Sequence, residues 1–195
     1  MRIYLCRHGE TDHNKKGILQ GQIDAELNER GIKQARKLAG RFEGKEFSKI
    51  YSSDLSRAAR TAGEISKVLG VEHEKDKRLR ERTYGAFEGL EHERRYEEIE
   101  EADDLDDWNP EDGETVHDVR ERSMAFIEEL VNTHEGEEIV VIAHGWVNRA
   151  IITGILEAPD ARAHSIWQDN TCVNVLRLDE YRGWRLRKLN DTSHL

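Results

Sequence analysis

Apolar residues along this chain alternate between short unbroken runs and stripes spaced three or four apart. Ile3-Tyr4-Leu5-Cys6, within residues 1 to 6, is a run of strand length. Behind Asn28, a residue suited to capping a helix, Leu27, Ile32, Ala35, Leu38, Ala39 and Phe42 recur at helical spacing. The unit then repeats. Lys49-Ile50-Tyr51-Ser52-Ser53 reads as a strand, and Leu55, Ala58, Ala59, Ala62, Ile65, Val68 and Leu69 share a helix face that closes at Gly70. Between about 72 and 78 the pattern is that of a weak, charged strand, and Leu90 to Glu101 has that of a short helix inside an acidic segment that Asn109-Pro110 then interrupts.

Val116, Val119, Ser123, Phe126, Ile127, Leu130 and Val131 mark another helix, closed near Gly136. Ile139-Val140-Val141-Ile142-Ala143 is apolar throughout, the pattern of a strand covered on both faces. It ends at His144-Gly145, and a helix follows from about 146 to 156. Thr171 to Leu178 and Trp184 to Leu189, separated by Tyr181-Arg182-Gly183, form a hairpin near the end of the sheet. Strands alternating with helices predict an α/β fold, a three-layer α/β/α sandwich around a mostly parallel central sheet. The length of 195 residues fits a single domain, 1–195, with a short acidic lid inserted at about 88–114.

Charge singles out that insertion. The formal net charge is -10, and residues 88 to 114 hold 14 Asp and Glu against Arg94 and Arg95, a local balance of -12 that leaves about +2 elsewhere. Such a segment repels nucleic acid, and no basic stripe with interleaved aromatics compensates, so nucleic-acid binding is set aside. No apolar run is long enough to span a bilayer, and Met1-Arg2-Ile3 does not begin like a signal peptide. No membrane partner and a cytoplasmic location are therefore expected. Cys6 and Cys172 lie in apolar runs and read as core residues rather than a disulfide, which suits a reducing compartment. Between monomer and homodimer the sequence does not choose.

Candidate chemistry begins with Arg7-His8-Gly9-Glu10-Thr11, directly after the first strand. In α/β sheets ligands gather beyond the carboxyl ends of the strands, and His8 and His144 each follow a predicted buried strand. An imidazole has an ordinary pKa near 6.5, which an adjacent guanidinium lowers, and the neutral ring is a nucleophile that can accept a phosphoryl group. A solvated Arg-His pair at a strand end has the same letters, so residues elsewhere must decide. After the second strand, Ser52-Ser53-Asp54-Leu55 leads into a helix whose first turn carries Arg57, so that a guanidinium and a helix N-terminus can face one anion. Among nine histidines, His73, His92, His117, His134, His164 and His194 lack close ligand spacing, and the chemistry calls for no metal and no other cofactor.

Taken together, five ordered blocks resemble the histidine phosphatase superfamily, also called phosphoglycerate mutase-like. They are Arg7 to Thr11 with Asn14, Gln20-Gly21, Asp24, Leu27 and Gly31 through Ala35; Ser52 to Leu55 with Arg57-Ala58 and Thr61-Ala62; Leu79-Arg80-Glu81 with Gly85 and Glu88-Gly89; Pro110 with Gly113-Glu114; and Ala143-His144-Gly145 with Arg149. The resemblance implies His8 as nucleophile, Arg7, Arg57 and His144 as a phosphoryl clamp, and Glu81 as the acid that protonates the leaving oxygen. It further implies substrate contacts from Asn14, Gln20, Gly21 and Gly145. Physically, arginine forks match phosphoryl oxygens, and preorganised donors of this kind are worth roughly 3 kcal/mol each in the transition state. His144 helps most as a protonated donor while His8 must stay neutral, so their environments are expected to push the two pKa values apart. His13, Ala25, Phe87 and Trp146 depart from the family pattern without removing any of these groups; Trp146 reads mainly as a core residue.

The implied function is that of a metal-independent phosphomonoesterase acting on a small phosphorylated metabolite. A cofactor-dependent phosphoglycerate mutase shares the site, but the resemblance associates mutases with a longer insertion, and a segment of charge -12 suits a polyanionic substrate poorly. Arg94-Arg95 argue the other way, although Glu91 and Glu98 stand at helical spacing to pair with them. A non-catalytic phospho-ligand binding protein is a further alternative.

Overall fold

The computed structural model describes residues 1–91 and 110–195. Its strands are β1 (Arg2–Arg7), β2 (Lys49–Ser52), β3 (His73–Lys75), β4 (Glu138–Ala143), β5 (Val173–Asp179) and β6 (Gly183–Asp191). They form one sheet in the order β3-β2-β4-β1-β5-β6. The first four of that order run parallel, β5 is antiparallel to β1, and β6 is antiparallel to β5. The expected mostly parallel sheet thus carries the predicted hairpin on its far edge, where a three-residue turn can only return the chain antiparallel. Thr171 and Cys172, expected to start that hairpin, instead form a turn: Thr171 has φ 57°, and the Cys172 N–H donates to the Asp169 carbonyl at 3.1 Å.

The helices are α1 (Asp12–Lys16), α2 (Glu29–Phe42), α3 (Ser56–Leu69), α4 (Val116–Thr133) and α5 (Gly145–Ile155), with 3-10 turns at Lys77–Leu79, Gly85–Phe87 and Asp160–Ser165. Alternation along the central strands divides the core between the layers. Ile3, Leu5, Ile139 and Val141 pack with Phe126 and Ile127 of α4 and Val147 and Ile151 of α5. Tyr4, Cys6, Val140 and Ile142 pack on the other side with Leu38 and Phe42 of α2 and Ala58 and Ile65 of α3. Each large aliphatic or aromatic side chain so buried contributes about 1.5–3 kcal/mol relative to exposure. Cys6 and Cys172 are buried free thiols.

Local signals set the helix starts. Asn28 accepts from the Gly31 N–H at 2.8 Å, and Thr115 and Asp118 form a reciprocal capping box at the start of α4. The helix expected over Leu90 to Glu101, and most of the acidic insertion, lie outside the described residues. Its near end pairs Ile18 with Glu91, and its far end pairs Tyr84 with Gly113. Among the described residues no helix is long and apolar enough to cross a membrane.

Candidate active site

Strand register brings the two histidines together. Arg7 lies opposite Ala143 in the parallel pair β1–β4, so the next residues, His8 and His144, emerge side by side with ring centroids 5.1 Å apart. α2, which follows β1 and α1, packs on one face and α5, after β4, on the other, which opens a crevice at these strand ends. β2, beside β4, delivers Arg57 on the first turn of α3. β3, beside β2, leads through the turn Lys77–Leu79 to Glu81. The crevice is a cavity of about 490 Å³ lined by Arg7, His8, Arg57 and Glu81 together with Asn14, Gln20, Gly21 and Gly145. His144 does not line it, being fully buried next to His8 and Arg57.

The two rings have defined tautomers. His8 Nδ1 lies 2.7 Å from the Gly9 carbonyl, which only accepts, so Nδ1 carries the proton and Nε2 the lone pair. His144 Nδ1 accepts from Arg57 Nε at 3.3 Å, which puts the proton on Nε2. Burial first, then Arg57 and Arg7, pushes His8 well below the ordinary histidine pKa. Burial, then Arg57, His8 and Arg7, pushes His144 in the same direction. The expected opposition of pKa values is therefore not found without a bound anion: both rings are neutral, and His144 is a donor by tautomer rather than by charge. Desolvation and shared arginines act on both rings alike.

Arg57 is fully buried, and its NH1 and NH2 donate to the Ile23 and Gly21 carbonyls at 2.7 and 2.8 Å. Burial lowers its pKa to about 10, so it stays charged at neutral pH. Arg7 NH1 donates to the Gln168 carbonyl at 2.7 Å. Arg7 Nε and His144 Nε2 are buried and have no hydrogen-bond partner among the described residues. An unpaired buried donor costs about 1–3 kcal/mol.

Among the described residues the Glu81 carboxylate is held through one oxygen. Its Oε1 accepts from the backbone N–H groups of Arg82 and Trp146 at 3.0 and 3.1 Å, the latter in the first turn of α5. A Cβ placed on Gly145 would lie 3.6 Å from Glu81 Oε2 and 3.8 Å from Arg7 Nε, so the bare glycine keeps open the space between acid and guanidinium. Arg122 NH2 and Gln22 Nε2 donate to the Glu81 carbonyl, fixing its backbone from α4 and from the loop after α1. Asn14 and Gln20 engage their side-chain oxygens with Thr11, which leaves their amide N–H groups for the cavity.

Sequence reasoning assigned no role to Tyr84, Arg149, His164, Trp167 and Gln168, which also line the cavity. Arg149 was within reach, since it follows Gly145 by four residues and so shares its helix face. Residues 164–168 arrive by tertiary folding and carried no local signal. Trp146, read as a core residue, is buried and also lines the cavity, with the Arg149 guanidinium 4.8 Å from its ring centroid and the His164 ring edge-on at 4.8 Å.

The model of the histidine phosphatase superfamily (branch 1) matches residues 3–192. The chain belongs to that superfamily. Among its relatives, the metal-independent phosphoserine phosphatase of Arabidopsis thaliana is 38% identical over 99% of this chain and 82% of its own length. The phosphoglycerate mutase-like protein 4 of the same plant is 36% identical over 99% of this chain and 86% of its own. Among solved histidine phosphatase structures, the phosphoserine phosphatase of Entamoeba histolytica in complex with 3-phosphoglyceric acid superposes with a TM-score of 0.89 at 29% identity, covering 100% of this chain and 98% of that one.

Proposed function

We propose that this histidine phosphatase family member is a metal-independent phosphomonoesterase that turns over through a phosphohistidine at His8. In the first half-reaction His8 Nε2 attacks phosphorus, the ester P–O bond breaks, and protonated Glu81 passes its proton from Oε2 to the departing oxygen. In the second, water attacks the phosphohistidine, Glu81 takes the proton, and breaking of the N–P bond restores neutral His8 and releases phosphate. Arg7, Arg57 and His144 bear the charge on the transferring oxygens, where positioning and electrostatics supply most of the rate.

One observation carries this reading: beside a nucleophile whose tautomer leaves Nε2 free, two buried donors, Arg7 Nε and His144 Nε2, lack partners among the described residues, and phosphoryl oxygens would supply them. Asn14, Gln20, Gly21 and Gly145 contact the substrate around the phosphoryl group. The substrate is a small phosphorylated metabolite, which a cavity of this volume admits.

The mutase-like relative favours the mutase as a second reading. Rapid quenching of labelled substrate under alkaline conditions is expected to trap the label on histidine in the native chain. In His8→Ala, neither label nor turnover should remain. Label on another side chain, or turnover surviving His8→Ala, would overturn the mechanism. Release of phosphate from p-nitrophenyl phosphate in EDTA without interconversion of 2- and 3-phosphoglycerate selects phosphatase over mutase, and no release from any phosphomonoester selects a binding protein.

A further inference from the structure

A second cavity, of about 300 Å³, lies between α2 and the β5–β6 hairpin, toward the amino-terminal end of β1. Arg2, at its wall, precedes Arg7 by five residues, roughly 17 Å of extended strand, so this cavity is separate from the one at His8. Its floor is Tyr4 and Val175, opposite one another in the β1–β5 register and both buried. Its rim is Arg2, Arg41, Lys45, Arg177, Arg187 and Lys188, with no carboxylate among the lining residues.

This accumulation is unexpected in a chain of net charge -10. Arg2 and Arg177 are cross-strand partners, and like charges placed directly opposite one another destabilise a sheet. Nearby carboxylates answer only part of the charge. Glu138 pairs with Arg2, Asp191 with Arg41 and Lys188, and Asp179 with Arg177 at 3.8 Å. Lys45 and Arg187 have no carboxylate partner among the described residues; Lys45 Nζ lies 5.2 Å from the Tyr4 ring centroid, over the floor. Three carboxylates against six cations leave the concavity positive, and low-dielectric walls concentrate such a field.

We propose that this cavity is an anion-binding site for a polyphosphate group, two or three phosphates in a row, either free or esterified to a nucleoside. Its six cations offer contacts to several phosphates, its arginines offer planar donor forks, and its volume admits a small molecule. The site is independent of the chemistry at His8.

Calorimetric titration at low salt tests it, with inorganic tripolyphosphate and metal-free adenosine diphosphate as probes. Arg7→Ala serves as the background, so that the first cavity contributes little. Binding is expected to persist in Arg7→Ala and to weaken at least about tenfold when Lys45→Glu and Arg187→Glu are added, since each removes a charged contact. Turnover of p-nitrophenyl phosphate by Lys45→Glu/Arg187→Glu alone should match the native chain. Tighter binding of the diphosphate than of tripolyphosphate assigns the ester form, with the base on Tyr4 and Val175, and the reverse assigns the free form. Undiminished affinity after charge reversal, or no binding of either probe at concentrations on the order of 1 mM, would overturn the proposal. Lys45→Gln/Arg187→Gln, which neutralises two exposed side chains, reads the same loss should the reversed protein fail to fold.

Discussion

Glu81 accepts from two backbone N–H groups through Oε1 and lines the cavity, which holds the carboxyl in place for the proposed proton transfer. Glu81→Gln preserves the shape and removes the transferable proton. Hydrolysis of alkyl phosphates should then slow by about 10²–10⁴-fold, with a far smaller loss on p-nitrophenyl phosphate, whose leaving group departs without help. Measured kcat values falling equally on both would exclude this role. At this scale the letters of the site are legible in the chain: His8, Arg7, Arg57, Glu81 and His144 all meet around one crevice. The state of His144 is not. Its tautomer depends on Arg57 Nε, 87 positions away in sequence, and its pKa on burial that no local pattern reports.

Elements meet where side chains are missing. A Cβ on Gly9 would lie 2.5 Å from the Gly31 carbonyl oxygen, and one on Gly31 would overlap the Glu10 carbonyl oxygen. The loop carrying His8 therefore rests against the first turn of α2, backbone on backbone. Gly31→Ala should cost about 1–3 kcal/mol in urea denaturation and lower kcat by displacing His8; unchanged stability and kcat would show that the contact yields freely. The start of α3 has no cap of its own, and the Asp24 carboxylate supplies one by accepting from Ser56 N–H and Oγ at 2.7 and 2.8 Å. That ties the loop whose carbonyls hold Arg57 to the helix that carries it. Asp24 and Gly31 stand in the sequence as motif letters, yet their work is between elements, so spacing alone names them without explaining them.

The whole molecule keeps several histidines neutral. Burial, as the leading cause, lowers the pKa of His8, His73, His144 and His194, the last to about 4. Unfolded, these rings titrate near 6.5, so as pH falls through that value the unfolded chain takes up protons that the folded chain refuses. Stability is accordingly full above about pH 6.5 and declines from there toward about 4. Calorimetry should find Tm falling across this window, and a flat or rising Tm would contradict the burial that neutralises the site. By itself the sequence determines the order of the strands and longer helices, the Asn28 cap, and the residue types gathered at the proposed site, because periodicity, turn residues and motif blocks are properties of neighbours along the chain. Tertiary structure alone decides that β5 joins β1 antiparallel, that His164, Trp167 and Gln168 line the cavity, that both histidines are neutral, and that six cations collect around Tyr4 and Val175. Each of these follows from register and desolvation, which bring together residues far apart in the chain and exist only once the layers have packed.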